Sequence, residues 1–145
     1  MDEEKSLDEL RALLASKTTS DRVLALKVIA EHKHYSLSNV CIEKLRDPHR
    51  DVRSHAAWAL DRMAYIAAVP DLCTALYDPV FNVRSSAGWA LIHIAMYSTP
   101  NVVVPDVIDV LLGPESDAQQ MAYIVLHHIG GETAREAIRE YWSKH

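Results

Sequence analysis

The sequence predicts an all-α fold, a right-handed α-solenoid of about four helix pairs with a C-terminal capping helix. Three observations predict it: a block that the chain repeats, apolar spacing typical of helices inside each copy, and proline-containing breaks between the helices. The block from Leu45 to Leu60 recurs from Leu76 to Leu91, with matching Asp-Pro, Val-Arg-Ser and Trp-Ala-Leu segments. Repeats of this length are single helical units that bury their apolar faces only by stacking on neighbours.

Two further copies flank the central pair. The same shift applied backwards finds a weaker first copy, in which Leu14 and Arg22 take the places of Leu45 and Arg53. A slightly longer shift forwards finds a fourth copy, in which Leu111 takes the place of Leu76, and the four extra residues fall near the turn-rich 98–101 segment. A loop can lengthen there at small entropic cost.

Each copy divides into a first and a second helix. We predict first helices at about 7–16, 38–46, 69–77 and 105–112, and second helices at about 20–32, 50–65, 81–97 and 116–129. Ser6 and Glu9 form a capping box, and Asp47-Pro48 and Asp78-Pro79 end a helix. The valines at 102–104 favour a strand by propensity, but Pro105 suits a helix start. Residues 132–142 are predicted to cap the stack.

Composition indicates a single domain over residues 1–145. Half of the residues are apolar, 24% are charged, and the net charge is −5. Nucleic-acid binders usually carry a basic stripe, so we predict no nucleic-acid partner. No apolar run is long enough to span a membrane, and the acidic start lacks the features of a secretory signal; we therefore predict a cytoplasmic protein. Cys41 and Cys73 lack zinc-site spacing and are interpreted as reduced core residues.

The second helices have one face for the core and one turned away from it. At about 100° per residue, the core arc is predicted to contain Val52, Ala56, Ala59, Leu60 and Met63, and again Val83, Ala87, Ala90, Leu91 and Ile94. Large apolar residues recur on the opposite face: Trp58 and Tyr65 in the second copy, Trp89, Ile92 and Met96 in the third, and Ile124 in the fourth. A patch of this kind usually marks a partner site.

The pattern Asp-Pro, Val-Arg and Ala-Ala-x-Ala-Leu resembles the short HEAT-like repeats of phycobilisome bilin lyases, of deoxyhypusine hydroxylase and of small scaffold proteins. The resemblance covers nearly the whole chain and is closest in copies two and three. It implies that the second helices line a concave groove and the first helices the convex side. It does not specify a function, because unrelated functions share this fold.

We predict a non-catalytic scaffold that binds a protein or peptide partner in this groove. The predicted partner-binding residues are Trp58, Asp61, Arg62, Tyr65, Trp89, Ile92, His93, Met96, Ile124, His127 and His128. Arg62, His93 and His128 share a repeat position with Glu31 and would orient the partner from the rim. Two alternatives stay open: the indoles seal the seams between repeats, or the groove is a self-association surface.

Catalytic, cofactor and metal sites are not predicted. The sequence has no phosphate-binding loop, no GxSxG and no HExxH motif, and it lacks the His-Glu dipeptides with which deoxyhypusine hydroxylase binds iron. Adjacent His127 and His128 point about 100° apart on a helix and cannot chelate one ion together. The alternative function that the resemblance implies is a lyase-like accessory protein handling a tetrapyrrole.

Arg53 and Arg84 each follow an aspartate by six residues, Asp47 and Asp78 respectively. An arginine–carboxylate fork between them would tie each turn to the following helix. We therefore assign these four residues a structural role.

Overall fold

The computed structural model describes residues 5–145, and all regular structure in that range is helical. The α-helices are α1 (Leu7–Leu14), α2 (Thr19–His32), α3 (Ser38–Lys44), α4 (Arg50–Arg62), α5 (Val69–Ala75), α6 (Phe81–Tyr97), α7 (Val104–Leu111), α8 (Ser116–Ile129) and α9 (Glu132–Ser143). Short 3-10 turns precede α3, α5 and α7, and the last of them covers Pro100–Val102. Val102 ends this 3-10 turn, Val103 lies in a turn and Val104 begins α7, which confirms the choice against a strand.

The helices form two layers, with α1, α3, α5 and α7 in one and α2, α4, α6 and α8 in the other. Successive second helices pack directly on one another, whereas contact between successive first helices is sparse. Helices on the inside of a curved stack lie closer together than those on the outside, so the second helices form the concave layer. The predicted α-solenoid is confirmed, and α9 packs on α7 and α8 as a cap.

Local signals set several helix ends. The Ser6 hydroxyl accepts a hydrogen bond from the Glu9 amide at 3.1 Å, and the Glu9 carboxylate accepts one from the Ser6 amide, so the predicted capping box is present. At the other end of the helices, Lys33 after α2 and Ala64 after α4 adopt left-handed backbone conformations. α4 ends at Arg62, three residues earlier than predicted, because the chain turns at Ala64.

The core lies between the two layers and contains the predicted arc of each second helix. Val52, Ala56, Ala59 and Leu60 of α4 are completely buried, and so are their counterparts Val83, Ala87, Ala90 and Leu91 of α6. The fifth predicted pair is also buried, with Met63 4% and Ile94 0% exposed. Burying one such leucine or isoleucine contributes about 1.5–3 kcal/mol. Cys41 and Cys73 are also buried, and burial raises the pKa of each thiol to about 12.

Small residues let the second helices approach each other closely. Ala57 of α4 and Gly88 of α6 occupy the same repeat position and are both buried. A Cβ atom on Gly88 would lie 3.0 Å from Sδ of Met121 and 3.3 Å from Cγ2 of Val125, both on α8. Trp58 and Trp89, which directly follow these two positions, therefore lie on a tightly packed layer of helices.

A ladder of buried arginine–aspartate pairs links successive repeats. Arg22 binds Asp47 through two hydrogen bonds of 2.9 and 3.1 Å, and Arg53 binds Asp78 in the same way at 2.7 and 3.2 Å. Each arginine also donates to the main-chain carbonyl six residues before it, at Ser16 and Asp47. The sequence-based pairing of Arg53 with the Asp47 carboxylate is wrong, because that carboxylate belongs to Arg22 of the preceding repeat.

The ladder ends at the fourth repeat. Gly113 takes the position of Asp78 there, so Arg84 has no equivalent aspartate and lies only within 4.0 Å of the exposed Asp117. Gln119, at the position of Arg84, keeps the bond to the turn by donating to the Gly113 carbonyl at 2.6 Å. Arg84 itself retains the bond to the Asp78 carbonyl.

Lowering the pH is expected to weaken the Arg22–Asp47 pair, the first pair of the ladder, by protonating the Asp47 carboxylate. Burial alone raises the pKa of this carboxyl, but hydrogen bonds from Arg22 and the His49 amide outweigh burial and lower the pKa below 3.8. The stability that Asp47 contributes is therefore complete above pH 3.8 and is lost as the pH falls towards the folded-state pKa. In urea titrations, Asp47→Asn should destabilise at pH 7 and destabilise less at pH 3; a difference independent of pH would contradict this.

Candidate binding face on the second helices

Trp58 and Trp89 project from the open side of α4 and α6, and 37% and 45% of their respective surfaces are exposed. Their predicted exposure is confirmed. The rest of each tryptophan is covered by the surrounding structure, so each side chain is partly held in place and partly open to solvent. We call the surface formed by these two indoles and the residues that border them the tryptophan face.

Two hydrogen bonds cross the seam between α4 and α6, one on each side of Trp58. The Ser54 and Ser86 hydroxyls lie 2.8 Å apart, and His93 Nδ1 lies 2.8 Å from Asp61 Oδ1. Ser54, Trp58 and Asp61 recur at four- and three-residue spacing and therefore share one face of α4. These bonds fix the seam and leave the outer surface of Trp58 open.

A hollow lies on each side of Trp58. The first, here the Ser54 hollow, has a volume of about 430 Å³ and is lined by Lys27, Glu31, Ser54, His55, Trp58 and Ser86. The second, here the Asp61 hollow, has a volume of about 390 Å³ and is lined by Lys33, Tyr35, Trp58, Asp61, Arg62, Met63, Ala64, His93 and Tyr97. Both volumes fall within the range of ligand-binding clefts, about 300–1,000 Å³.

Asp61 is the ionisable group most strongly affected by this environment. Burial raises the pKa of its carboxyl, although the hydrogen bond from His93 and the positive charge of Arg62 favour the ionised form. Only 14% of the Asp61 side chain is exposed, against 38% of His93. The Asp61–His93 pair is therefore largely shielded from water, whereas the neighbouring Arg62 is exposed.

Two histidines contact the Trp89 ring, whereas Trp58 has His55 as its one ring neighbour within the described residues. The ring of His128 on α8 meets the indole edge-on at 5.1 Å between centroids, and His93 lies 5.9 Å away on α6 itself. His127 points elsewhere and stacks on Tyr123 at 5.9 Å. The rings of His127 and His128 lie 6.1 Å apart between centroids at an interplanar angle of 84°. Within residues 5–145, no group of three or more His, Cys, Asp or Glu side chains could hold a metal ion.

Two predicted face residues lie elsewhere. Ile92 is only 3% exposed and belongs to the core, because it lies one helical turn after Gly88 on the side of α6 that meets α8. Tyr65 follows the end of α4, and its hydroxyl donates to Oδ1 of Asn39 in α3, a first helix. Both placements on the groove are wrong.

The remaining predicted residues vary in exposure. Met96 is 71% exposed at the end of α6, whereas Ile124 of α8 is partly buried against the core. Neither lines the two hollows beside Trp58. The structure therefore brings together Trp58, Asp61, Arg62 and His93 around one hollow and Trp89, His93 and His128 around the second indole.

Five residues that line the Asp61 hollow are absent from the predicted site: Lys33, Tyr35, Ala64, Tyr97 and Met63, which was predicted to lie in the core. Two of them carry a periodic signal, since Tyr35, Ile66 and Tyr97 occupy the same position in successive repeats and all are exposed. The helical pattern does not reveal them, because Tyr35 and Ile66 lie in the turns after α2 and α4. Repeat spacing in the turns, rather than helix periodicity, would have found this row.

The stacked helix pairs and the exposed aromatic layer define the class of this protein as an α-solenoid. The family model for HEAT repeats matches residues 7–92, which is more than half of the chain. The protein therefore belongs to the HEAT-repeat family. The match is to HEAT repeats in general and does not extend to the phycobilisome-lyase type, and no curated protein matches the sequence.

Solved structures share the fold at low sequence identity. One engineered protein from a structural genomics consortium is 22% identical, with a TM-score of 0.64, over 92% of this chain and 67% of its own. A second is 21% identical, with a TM-score of 0.63, over 94% and 69%. A designed armadillo repeat protein in complex with the peptide (KR)4 is 19% identical, with a TM-score of 0.62, over 93% and 70%. None of the helices within residues 5–145 is both long and apolar enough to cross a membrane.

Proposed function

We propose that this protein is a non-catalytic binding module that captures a protein or peptide segment on the tryptophan face. The observation that carries the proposal is the pair of half-exposed indoles on the concave layer, one of them between two hollows. Tryptophan is the residue most enriched among the anchors of protein interfaces. Large exposed apolar patches are uncommon on monomeric proteins and often mark a binding site.

The rigidity of the face supports the same proposal. Trp58 and Trp89 stand on helices, and each ring has an aromatic neighbour, His55 at 6.3 Å for Trp58 and His128 at 5.1 Å for Trp89. An anchor that is already ordered loses little conformational freedom on binding. The seam-sealing alternative accounts for the buried part of each tryptophan but not for its exposed part.

The chemistry of the described residues supports a role without catalysis. Both thiols are buried, and their pKa values are raised to about 12, so neither is a thiolate nucleophile near neutral pH. The designed armadillo protein shows that a solenoid of similar fold takes a peptide as ligand. For the present protein, a peptide ligand is part of the proposal.

The proposal is tested by selecting displayed random peptides on the wild-type protein and measuring their affinity for variants by fluorescence anisotropy. Removing an interface anchor costs about 2 kcal/mol or more, or about 30-fold in affinity. We therefore expect Trp58→Ala/Trp89→Ala to weaken binding at least to that extent. Each indole is partly buried, so circular dichroism must show that the variant is folded; Trp58→Leu/Trp89→Leu preserves more of the packing.

Tyr77→Ala is the matched control, because Tyr77 has the same exposed fraction as Trp89, 45%, but lies beyond the end of α5 in the other layer. It should leave peptide affinity unchanged. Equal affinities for wild type and both tryptophan variants would reject the tryptophan face as the site. Sedimentation at two concentrations tests the self-association alternative, which predicts a dimer that only the tryptophan variants lose.

A further inference from the structure

The Asp61 hollow contains two cationic side chains that form no ion pair within 4.0 Å in the described part of the chain. Lys33 and Arg62 both line it, and neither takes part in an ion pair within residues 5–145. The nearby Asp61 carboxylate is occupied by His93 at 2.8 Å and is largely buried. The accessible charge at the mouth of the hollow is therefore positive, in a protein whose net charge is −5.

Aromatic and apolar side chains also line the same hollow. Tyr35, Trp58 and Tyr97 are exposed and line it together with the buried Met63. Tyr35 and Tyr97 come from the first and third repeats and Trp58 from the second, so the hollow spans three repeats. An apolar wall beside unpaired cations matches a ligand that carries an aromatic group next to negative charge.

We propose that the Asp61 hollow binds an acidic segment of a partner protein, in which an aromatic side chain enters the hollow and carboxylates beside it face Lys33 and Arg62. This inference rests on the proposed function, because it assigns the partner's chemistry at the same tryptophan face. It deepens that function by predicting which peptides the protein selects.

Three features would oppose the binding of an anion in the Asp61 hollow: the overall negative charge, the carbonyls at the ends of α2 and α4, and the Asp61 carboxylate. Each of them has a weak effect at this position. The overall negative charge is screened beyond about 10 Å at 0.1 M salt, whereas direct contacts with Lys33 and Arg62 are shorter. Several carbonyls at the ends of α2 and α4 already accept hydrogen bonds, as at Ile29 from the His34 amide and at Leu60 from the Tyr65 amide. The third feature is the Asp61 carboxylate, which is hydrogen-bonded to His93 and whose charge is opposed by the neighbouring positive charge of Arg62.

Peptide charge is the variable that tests the inference. The probes are three fluorescein-labelled peptides, each with four consecutive dipeptide units, of composition Glu-Phe, Gln-Phe or Lys-Phe. Binding is followed by anisotropy at the ionic strength of about 0.1 M considered above. Because hydrogen bonds to charged groups are stronger than neutral ones, we expect the Glu-Phe peptide to bind at least about tenfold tighter than the Lys-Phe peptide.

Variants assign the effect to the hollow. Lys33→Gln/Arg62→Gln should weaken the Glu-Phe peptide about tenfold, since two charge-assisted contacts become neutral. The matched control is Lys17→Gln/Arg50→Gln, which removes the same charge from positions at the opposite ends of the second helices; it should change affinity less than about twofold. Asp61→Asn removes the like charge and should tighten Glu-Phe binding.

Each outcome decides the question. A charge preference that disappears in the Lys33/Arg62 variant but not in the control supports the inference. Binding that depends on Trp58 and Trp89 but favours the Gln-Phe or Lys-Phe peptide overturns it and leaves the proposed function standing. Failure of all three peptides to bind also overturns it, and the display selection then judges the proposed function independently.

Discussion

Replacing Arg53 with alanine is expected to lower the free energy of unfolding by about 3–5 kcal/mol, the usual cost of removing one partner from a buried ion pair. The guanidinium makes two hydrogen bonds to Asp78 and further bonds to the carbonyls of Asp47 and Pro48. Without it, the Asp78 carboxylate would remain nearly buried and lack its cation. The loss should appear as a lower urea midpoint, with far-ultraviolet circular dichroism and tryptophan fluorescence as the two probes.

Arg46→Ala provides the control for this prediction within the same protein. Arg46 pairs with Asp71 at 3.1 Å and also joins one repeat to the next, but 69% of its side chain is exposed. Exposed pairs of this kind contribute about 0–1 kcal/mol. Similar small losses for both arginines would mean that the Arg53–Asp78 pair is solvated and that the ladder does not join the repeats.

The two probes also show whether the repeats unfold together. Arg53 lies in the second repeat and Asp78 in the third, so breaking this rung weakens an interface and not only one helix. In linear repeat proteins, stability is approximately the sum of repeat and interface contributions. Transitions that coincide in wild type and separate in Arg53→Ala would indicate that the rung maintains cooperativity between repeats.

The sequence predicted most helix bounds, because the recurring block supplies the same pattern several times. The 50–65 helix was too long, since Ala64 adopts the left-handed conformation at φ 48° that glycine or asparagine usually takes at a helix end. Alanine gives no signal for such a turn. The same early turn explains why Tyr65 reaches Asn39 in the first-helix layer instead of bordering Trp58.

The arginine ladder shows a second limit of the sequence. Arg53 follows Asp47 closely in the chain, which suggested a local pair, yet the fork connects Arg53 to Asp78 of the next repeat. A repeating sequence places an identical aspartate in each turn, and spacing alone does not say which copy an arginine reaches. The choice depends on how the repeats stack, and the local partner is a main-chain carbonyl instead.

The composition of the candidate site was predictable only in part. Trp58 and Trp89 were found because aromatics opposite a core arc are unusual in one helix and more so when repeated. Lys33 and Tyr35 come from the first repeat and Tyr97 from the third, and all three lie at or just after helix ends and line the same hollow. Their meeting depends on the curvature of the stack, which no single helix encodes.

Ile92 and Met96 differ most in burial among the apolar residues that were predicted to lie on the tryptophan face. Ile92→Ala is expected to cost about 3 kcal/mol, because it removes buried methyl groups and leaves a cavity in the layer between α6 and α8. Met96→Ala should change stability by less than about 0.5 kcal/mol, since the side chain is 71% exposed. Urea unfolding of the two variants measures the difference. If Ile92→Ala retained wild-type stability and instead weakened peptide binding, Ile92 would face the groove, and the close packing of α6 on α8 at Gly88 would be wrong as well.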